Sequence, residues 1–122
     1  MRFMMLMIPQ VYRGDAPPDF VPDPKGVEAM GVFNTEMQKA GILLSLDGLT
    51  PPSAGARVSF RGGKVLVTDG PFAETKEALG GYWIIEVPSR DAAIAWAKRC
   101  PAGDGDTIEI RRIYGPEDFG PG

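Results

Sequence analysis

Hydrophobic positions fall into short runs whose period changes along the chain. Residues 3–8 (Phe3-Met4-Met5-Leu6-Met7-Ile8) are apolar without alternation and stop at Pro9. The run is too short for a helix and predicts a strand that is central in its sheet and wants burial on both faces. Val27, Met30, Phe33 and Met37 recur at spacings of three and four, which predicts a helix from Asp23-Pro24 to about Ala40 with Gly41 as its C-cap. Asp23 is placed to cap the N-terminus, with Pro24 at the first helical position. Residues 42–46 form the next strand, broken by Asp47-Gly48 and Pro51-Pro52. A hairpin follows over residues 57–60 and 64–68, turning at Arg61-Gly62-Gly63. Arg57, Ser59 and Arg61 alternate there with Val58 and Phe60, the pattern of a strand with one wet face. Residues 82–87 are aromatic and β-branched and predict a strand. A second helix is expected over residues 90–100, capped by Ser89, and a last strand over 107–114.

The order β-α-β, hairpin, β-α-β is an α+β, ferredoxin-like plan with a β-hairpin inserted in the middle. Right-handed crossovers put both helices on one sheet face. The other face then carries half of the apolar strand residues, which predicts a homodimer packed sheet to sheet. Residues 1–115 make a single domain, and 116–122, rich in Gly and Pro, read as a loose C-terminal tail.

Composition narrows the chemistry. The chain has 122 residues, a net charge of −3, one cysteine and no histidine. The charge and the lack of a basic run speak against nucleic-acid binding. No apolar stretch approaches the ~20 residues of a membrane span, and a cytoplasmic location is expected. Without histidine, imidazole metal sites, Ser-His-Asp and Cys-His catalysis are excluded. No metal and no cofactor are expected. Cys100 sits on the apolar stripe of the second helix, where it reads as a small core residue or, with no His to activate it, a poor nucleophile.

One segment concentrates the remaining candidate chemistry: Asp69-Gly70-Pro71-Phe72-Ala73-Glu74-Thr75-Lys76-Glu77, followed by Gly80-Gly81. Asp69 is either a turn residue accepting from nearby amides or an acid at the mouth of a pocket at the dimer cleft. Phe72 either anchors the core or an interface, or lines a cavity. Lys76 and Glu77 are candidate ligand contacts or, with Glu74, a solvated face, and Thr75 lines a pocket or caps. The glycines lead into a strand, so the segment lacks the glycine-to-helix arrangement of a phosphate loop.

The same nine residues, with Gly80-Gly81, Gly48-Leu49, Pro51-Pro52, Cys100-Pro101 and the strand at 108–111, resemble the DGPF branch of the YciI-related (YCII) proteins. The resemblance covers nearly the whole chain. It implies a dimeric α+β-barrel fold and a biochemical function that is poorly defined; the Asp69 segment itself suggests an enzyme or a binding protein for an unknown small molecule. Association of the branch with extracytoplasmic-function sigma factors further implies a regulatory partner. Shorter relatives use a His and Asp pair as their site; this chain lacks the His, and only Asp69 can stand for the acidic half.

Overall fold

The computed structural model describes residues 1–13, 16–72 and 78–120. Among these, the elements run β1 (Arg2–Ile8), α1 (Pro24–Lys39), β2 (Leu43–Gly48), β3 (Ala56–Arg61), β4 (Lys64–Asp69), β5 (Gly81–Glu86), α2 (Arg90–Ala97) and β6 (Thr107–Arg112). Four strands form one sheet in the order β2-β5-β1-β6, every neighbouring pair antiparallel. β3 and β4 pair only with each other. Setting that hairpin aside, the connectivity is the ferredoxin-like β-α-β-β-α-β arrangement, in agreement with the α+β class read from the periodicity.

The caps explain where the helices start. The Asp23 carboxylate accepts from the Lys25 amide at 3.4 Å and the Ser89 hydroxyl from the Ala92 amide at 3.1 Å. α1 closes through Ala40, after which Gly41 takes φ +75°, a conformation that favours glycine. α2 ends at Ala97, earlier than the expected Cys100, because its last turn tightens: Arg99 N donates to Trp96 O and Cys100 N to Ala97 O.

Strand alternation sets the core. Phe3, Met5 and Met7 of β1 and Trp83 and Ile85 of β5 point to the helical side and meet Phe33 and Met37 of α1 and Ala93 of α2. Met5, Met37 and Ile85 are fully buried. The rings of Phe33 and Trp83 meet edge to face, 5.8 Å between centroids. Val27, expected on the same stripe, is 55% exposed; the helix buries only its turns from Met30 onward.

β1 lies centrally, between β5 and β6, and among the described residues the core cluster packs on its helical side. On the other side Met4, Leu6, Tyr82 and Ile84 are half-buried. That side also carries Asp47, Glu109 and Arg111.

The hairpin departs from its expected environment. Its ladder pairs Val58 with Val67 and Phe60 with Val65, so all four side chains share one face. That face is not packed on the domain: Phe60 is 77% and Val67 68% exposed. The alternation correctly reports a wet and a dry face, but no described element of the same chain covers the dry one.

Residues 116–119 form a 3-10 turn. The Arg112 guanidinium grips the Asp118 carboxylate through two bonds, at 2.8 and 2.7 Å, and Gly115 N donates to the same carboxylate at 2.7 Å. No described helix is long and apolar enough to cross a membrane.

Candidate functional site

Asp69 is the last residue of β4, paired across the ladder with Ala56 at the base of the hairpin. Its side chain is exposed, and among the described residues no amide donates to its carboxylate. The local sequence explains why. The Gly70 amide is already spent on Gly55 O at 2.9 Å, and Pro71, two residues on, has no N–H to offer. Gly70 itself is required at this point, since a Cβ would overlap the Pro52 carbonyl oxygen. The Gly70–Pro71 peptide is cis.

Phe72 is half-buried, with the Arg57 guanidinium 4.1 Å above its ring centroid. Cation–π attraction of this kind favours Arg over Lys, whose ammonium is compact and strongly hydrated. Asp69 and Phe72 therefore flank one turn at the hairpin base. Thr75, Lys76 and Glu77 lie outside the described residues.

A cleft of about 160 Å³ opens between α1 and the β2–β5 edge of the sheet. Met7, Met30, Leu46 and Trp83 give it apolar walls, and Gly48, Gly80 and Gly81 leave part of its lining without side chains. Gly48 and Gly81 are ladder partners, so two adjacent strands lack side chains at the same level. A Cβ on Gly81 would lie 2.9 Å from Asp47 O, tighter than real Cβ contacts. Asn34 lines the cleft from α1 and accepts from the Trp83 indole N–H at 2.7 Å, which satisfies the indole where it meets apolar surface.

Asp47 and Tyr82 also border the cleft. Each follows or precedes a cleft-facing residue in its strand, so alternation turns both side chains to the open side of the sheet. There the Tyr82 hydroxyl donates to the Asp47 carboxylate at 2.8 Å. Asp69 is not part of the cleft lining. The segment that starts at Asp69 does end there, at Gly80-Gly81, and Gly80 is fixed by two backbone bonds, to Met7 O and from Leu49 N.

Cys100 is half-buried, its sulfur 3.8 Å from that of Met30. Burial, with the Asp106 charge adding to it, pushes the thiol up to about 11. It therefore stays protonated at neutral pH and behaves as the core residue the stripe suggests. Burial also raises Tyr12, whose hydroxyl donates to Leu49 O at 2.8 Å and braces the loop before the hairpin. No group of three or more acidic or Cys side chains among the described residues is placed to hold a metal.

The cleft residues were not singled out by the sequence. Asp47-Gly48 reads as a strand breaker and Gly80-Gly81 as the lead into a strand. The available signal was Asn34, a polar residue beside Phe33 on the core-facing side of an otherwise apolar stripe.

Fold and site define a small α+β domain of ferredoxin-like plan with a cleft under its first helix and a protruding hairpin. The YCII-related domain model matches residues 1–116, and the chain belongs to that family. It is also similar to an uncharacterized protein, R00369, of Rhizobium meliloti (strain 1021): 34% identical over 101 residues, covering 80% of this chain and 82% of the relative.

Proposed function

We propose that this YCII-related protein, of the DGPF type, is a homodimer that binds a small molecule, and that Asp69 is the acid of its site. The observation that supports ligand binding most directly is the cleft: concave, mostly apolar, with few polar groups. Its size limits the ligand. An apolar cavity of about 150 Å³ holds one benzene ring, so the buried part of the ligand is a single ring or a short branched chain. Asp69 stands outside that cleft in one chain, so its contact with ligand belongs to the dimer, where the hairpin base of one copy meets the other. Its exposed carboxylate, with no amide partner among the described residues, keeps it available as a base or an anionic contact. Phe72, Thr75, Lys76 and Glu77 supply the surrounding contacts in this reading.

Thermal-shift screening of small aromatic and branched-chain acids tests it, because a ligand that binds the folded state raises Tm. Met30→Trp, which fills the cleft, is expected to abolish the shift. Asp69→Asn is expected to keep Tm and weaken binding or turnover. A variant that loses Tm but binds as before would make Asp69 a structural residue.

A second reading is a non-catalytic regulator acting with an extracytoplasmic-function sigma factor. The exposed apolar face of the hairpin favours it, since that face offers a partner a surface away from the cleft. Co-purification with a sigma factor encoded beside it would support this, and its absence under the same conditions counts against it.

A further inference from the structure

The cleft under α1 holds one polar group that the fold does not use. Asn34, Tyr82 and Trp83 are the lining residues whose side chains can donate a hydrogen bond. Tyr82 gives its hydroxyl proton to Asp47 at 2.8 Å, and Trp83 gives its indole N–H to Asn34 Oδ1 at 2.7 Å. Asn34 Nδ2 remains. It has no hydrogen-bond partner among the described residues, and it is not a sealed-off buried atom, so solvent in the cleft reaches it. Its identity as the nitrogen follows from its neighbour: an indole N–H can only donate, and so has to meet the amide oxygen.

We infer that the Asn34 side-chain N–H2 is the recognition donor of the cleft, and that the end of the ligand buried there is an uncharged carbonyl group, a ketone, lactone or lactam, on a small ring or short branched chain. This rests on the cleft being the binding site and names the chemistry it selects. The donor is held before any ligand arrives. Its amide is fixed through Oδ1 by the Trp83 indole, which is itself packed edge to face on Phe33, the chain neighbour of Asn34. A donor fixed in advance loses little freedom on binding. The surroundings offer a ligand acceptor few other partners. Met7, Met30 and Leu46 are apolar, and the Gly80 N–H and C=O are already paired with Met7 O and Leu49 N. Charge narrows the class further. No Lys or Arg lines the cleft among the described residues, and Asp47 is turned to the open side of the sheet, where Tyr82 holds it. A carboxylate would enter without a counter-charge, which costs far more than burying a neutral carbonyl on a donor. Any acid group of the ligand therefore stays at the mouth. Space sets the size: Gly48 and Gly81 leave the floor without side chains at one level, and about 160 Å³ takes about one benzene-sized ring.

The probes are cyclopentanone, its hydrocarbon isostere methylenecyclopentane, and cyclopentanecarboxylate. Each is titrated into the native chain at about pH 8, where a carboxyl is ionised, and followed by the indole N–H resonance of Trp83. Trp96 does not line the cleft and is the internal control. Cyclopentanone is expected to move the Trp83 resonance and to bind at least ~tenfold more tightly than the hydrocarbon, because a ligand without an acceptor leaves the donor unpaired. Asn34→Asp keeps an oxygen for the indole and replaces the donor by an acceptor. At the same pH it is expected to erase the ketone's advantage over the hydrocarbon, whereas a purely structural role for Asn34 would lower Tm and leave that ratio unchanged. Equal binding of ketone and hydrocarbon to the native chain overturns the donor and leaves the cleft standing as a binding site. A ketone preference that survives in Asn34→Asp overturns Asn34 as its source. Tightest binding of the carboxylate overturns the uncharged carbonyl. If no probe moves the Trp83 resonance, the cleft reading and the carbonyl assignment fall together.

Discussion

β1 and the β3–β4 hairpin are both apolar segments built on strand alternation, and they meet opposite fates. In β1 the side chains of Phe3, Met5 and Met7 are buried under α1 and α2. In the hairpin the equivalent alternation, Val58 and Phe60 against Val65 and Val67, faces solvent. The difference is connectivity. β1 sits in the middle of a sheet whose crossovers lay two helices over it. The hairpin is tied at its base, by the Gly70 amide on Gly55 O and the Ala56–Asp69 pair, and no other described strand or helix packs along its apolar face. Alternation thus states which face needs cover and is silent about who provides it.

The sharpest way to break this contrast is to truncate matched positions. Met5→Ala in the buried strand is expected to cost about 2–5 kcal/mol by chemical denaturation, because the lost methylenes leave a cavity. A cost below 1 kcal/mol would mean that the core is looser than its burial implies. Next comes the hinge between the two regions. Gly70→Ala forces a methyl group onto the Pro52 carbonyl and is expected to cost about 1–3 kcal/mol, with the loss falling on the hairpin base. Hydrogen exchange at Gly70 and Ala56 would locate that loss.

Inside the core, Trp83→Phe keeps most of the ring but strands Asn34 Oδ1, and is expected to cost about 1–2 kcal/mol. It should also alter binding in the adjoining cleft. On the exposed side of the comparison, Phe60→Ser is expected to stay within about 0.5 kcal/mol for the single chain. Chemical denaturation beside the native protein checks this.

The smallest effect concerns the far end of the domain. The Arg112 guanidinium holds the Asp118 carboxyl down at about 2, from an ordinary 3.8, with Gly115 N–H assisting. A carboxylate depressed in the folded state stabilises it above the unfolded value, and the benefit disappears as pH falls from about 4 through about 2. Melting of the native protein and Asp118→Asn should therefore differ at pH 6 and converge toward pH 2. The pair is solvent-exposed, so added salt is expected to shrink the difference as well.

Much of the scaffold was legible because local chemistry agrees with the global fold. Asp23-Pro24 and Ser89 begin helices where side chains can accept from free amides, and the apolar run before Pro9 is too short to be anything but a strand. The site was less legible. Asp69 looks like a turn cap from its neighbours, yet the Gly70 amide is used by Gly55 O and Pro71 has none to give. Asn34 looks like an interruption of a stripe until Trp83 is placed beside it across 49 positions of sequence. Asp47 and Tyr82, 35 residues apart, become a pair only through the β2–β5 register.

The sequence by itself determined the α+β class, the element order, the face of each strand that seeks burial, and the absence of imidazole chemistry. These follow from spacing and side-chain identity, which are local quantities. Tertiary structure alone decided that Gly48 and the Gly80-Gly81 pair, from two distant turns, share one cleft, that Asp69 stands apart from it, and that no described element covers the hairpin's apolar face. Such facts depend on which segments the topology brings together, and contacts between residues far apart in the chain leave no period in the sequence.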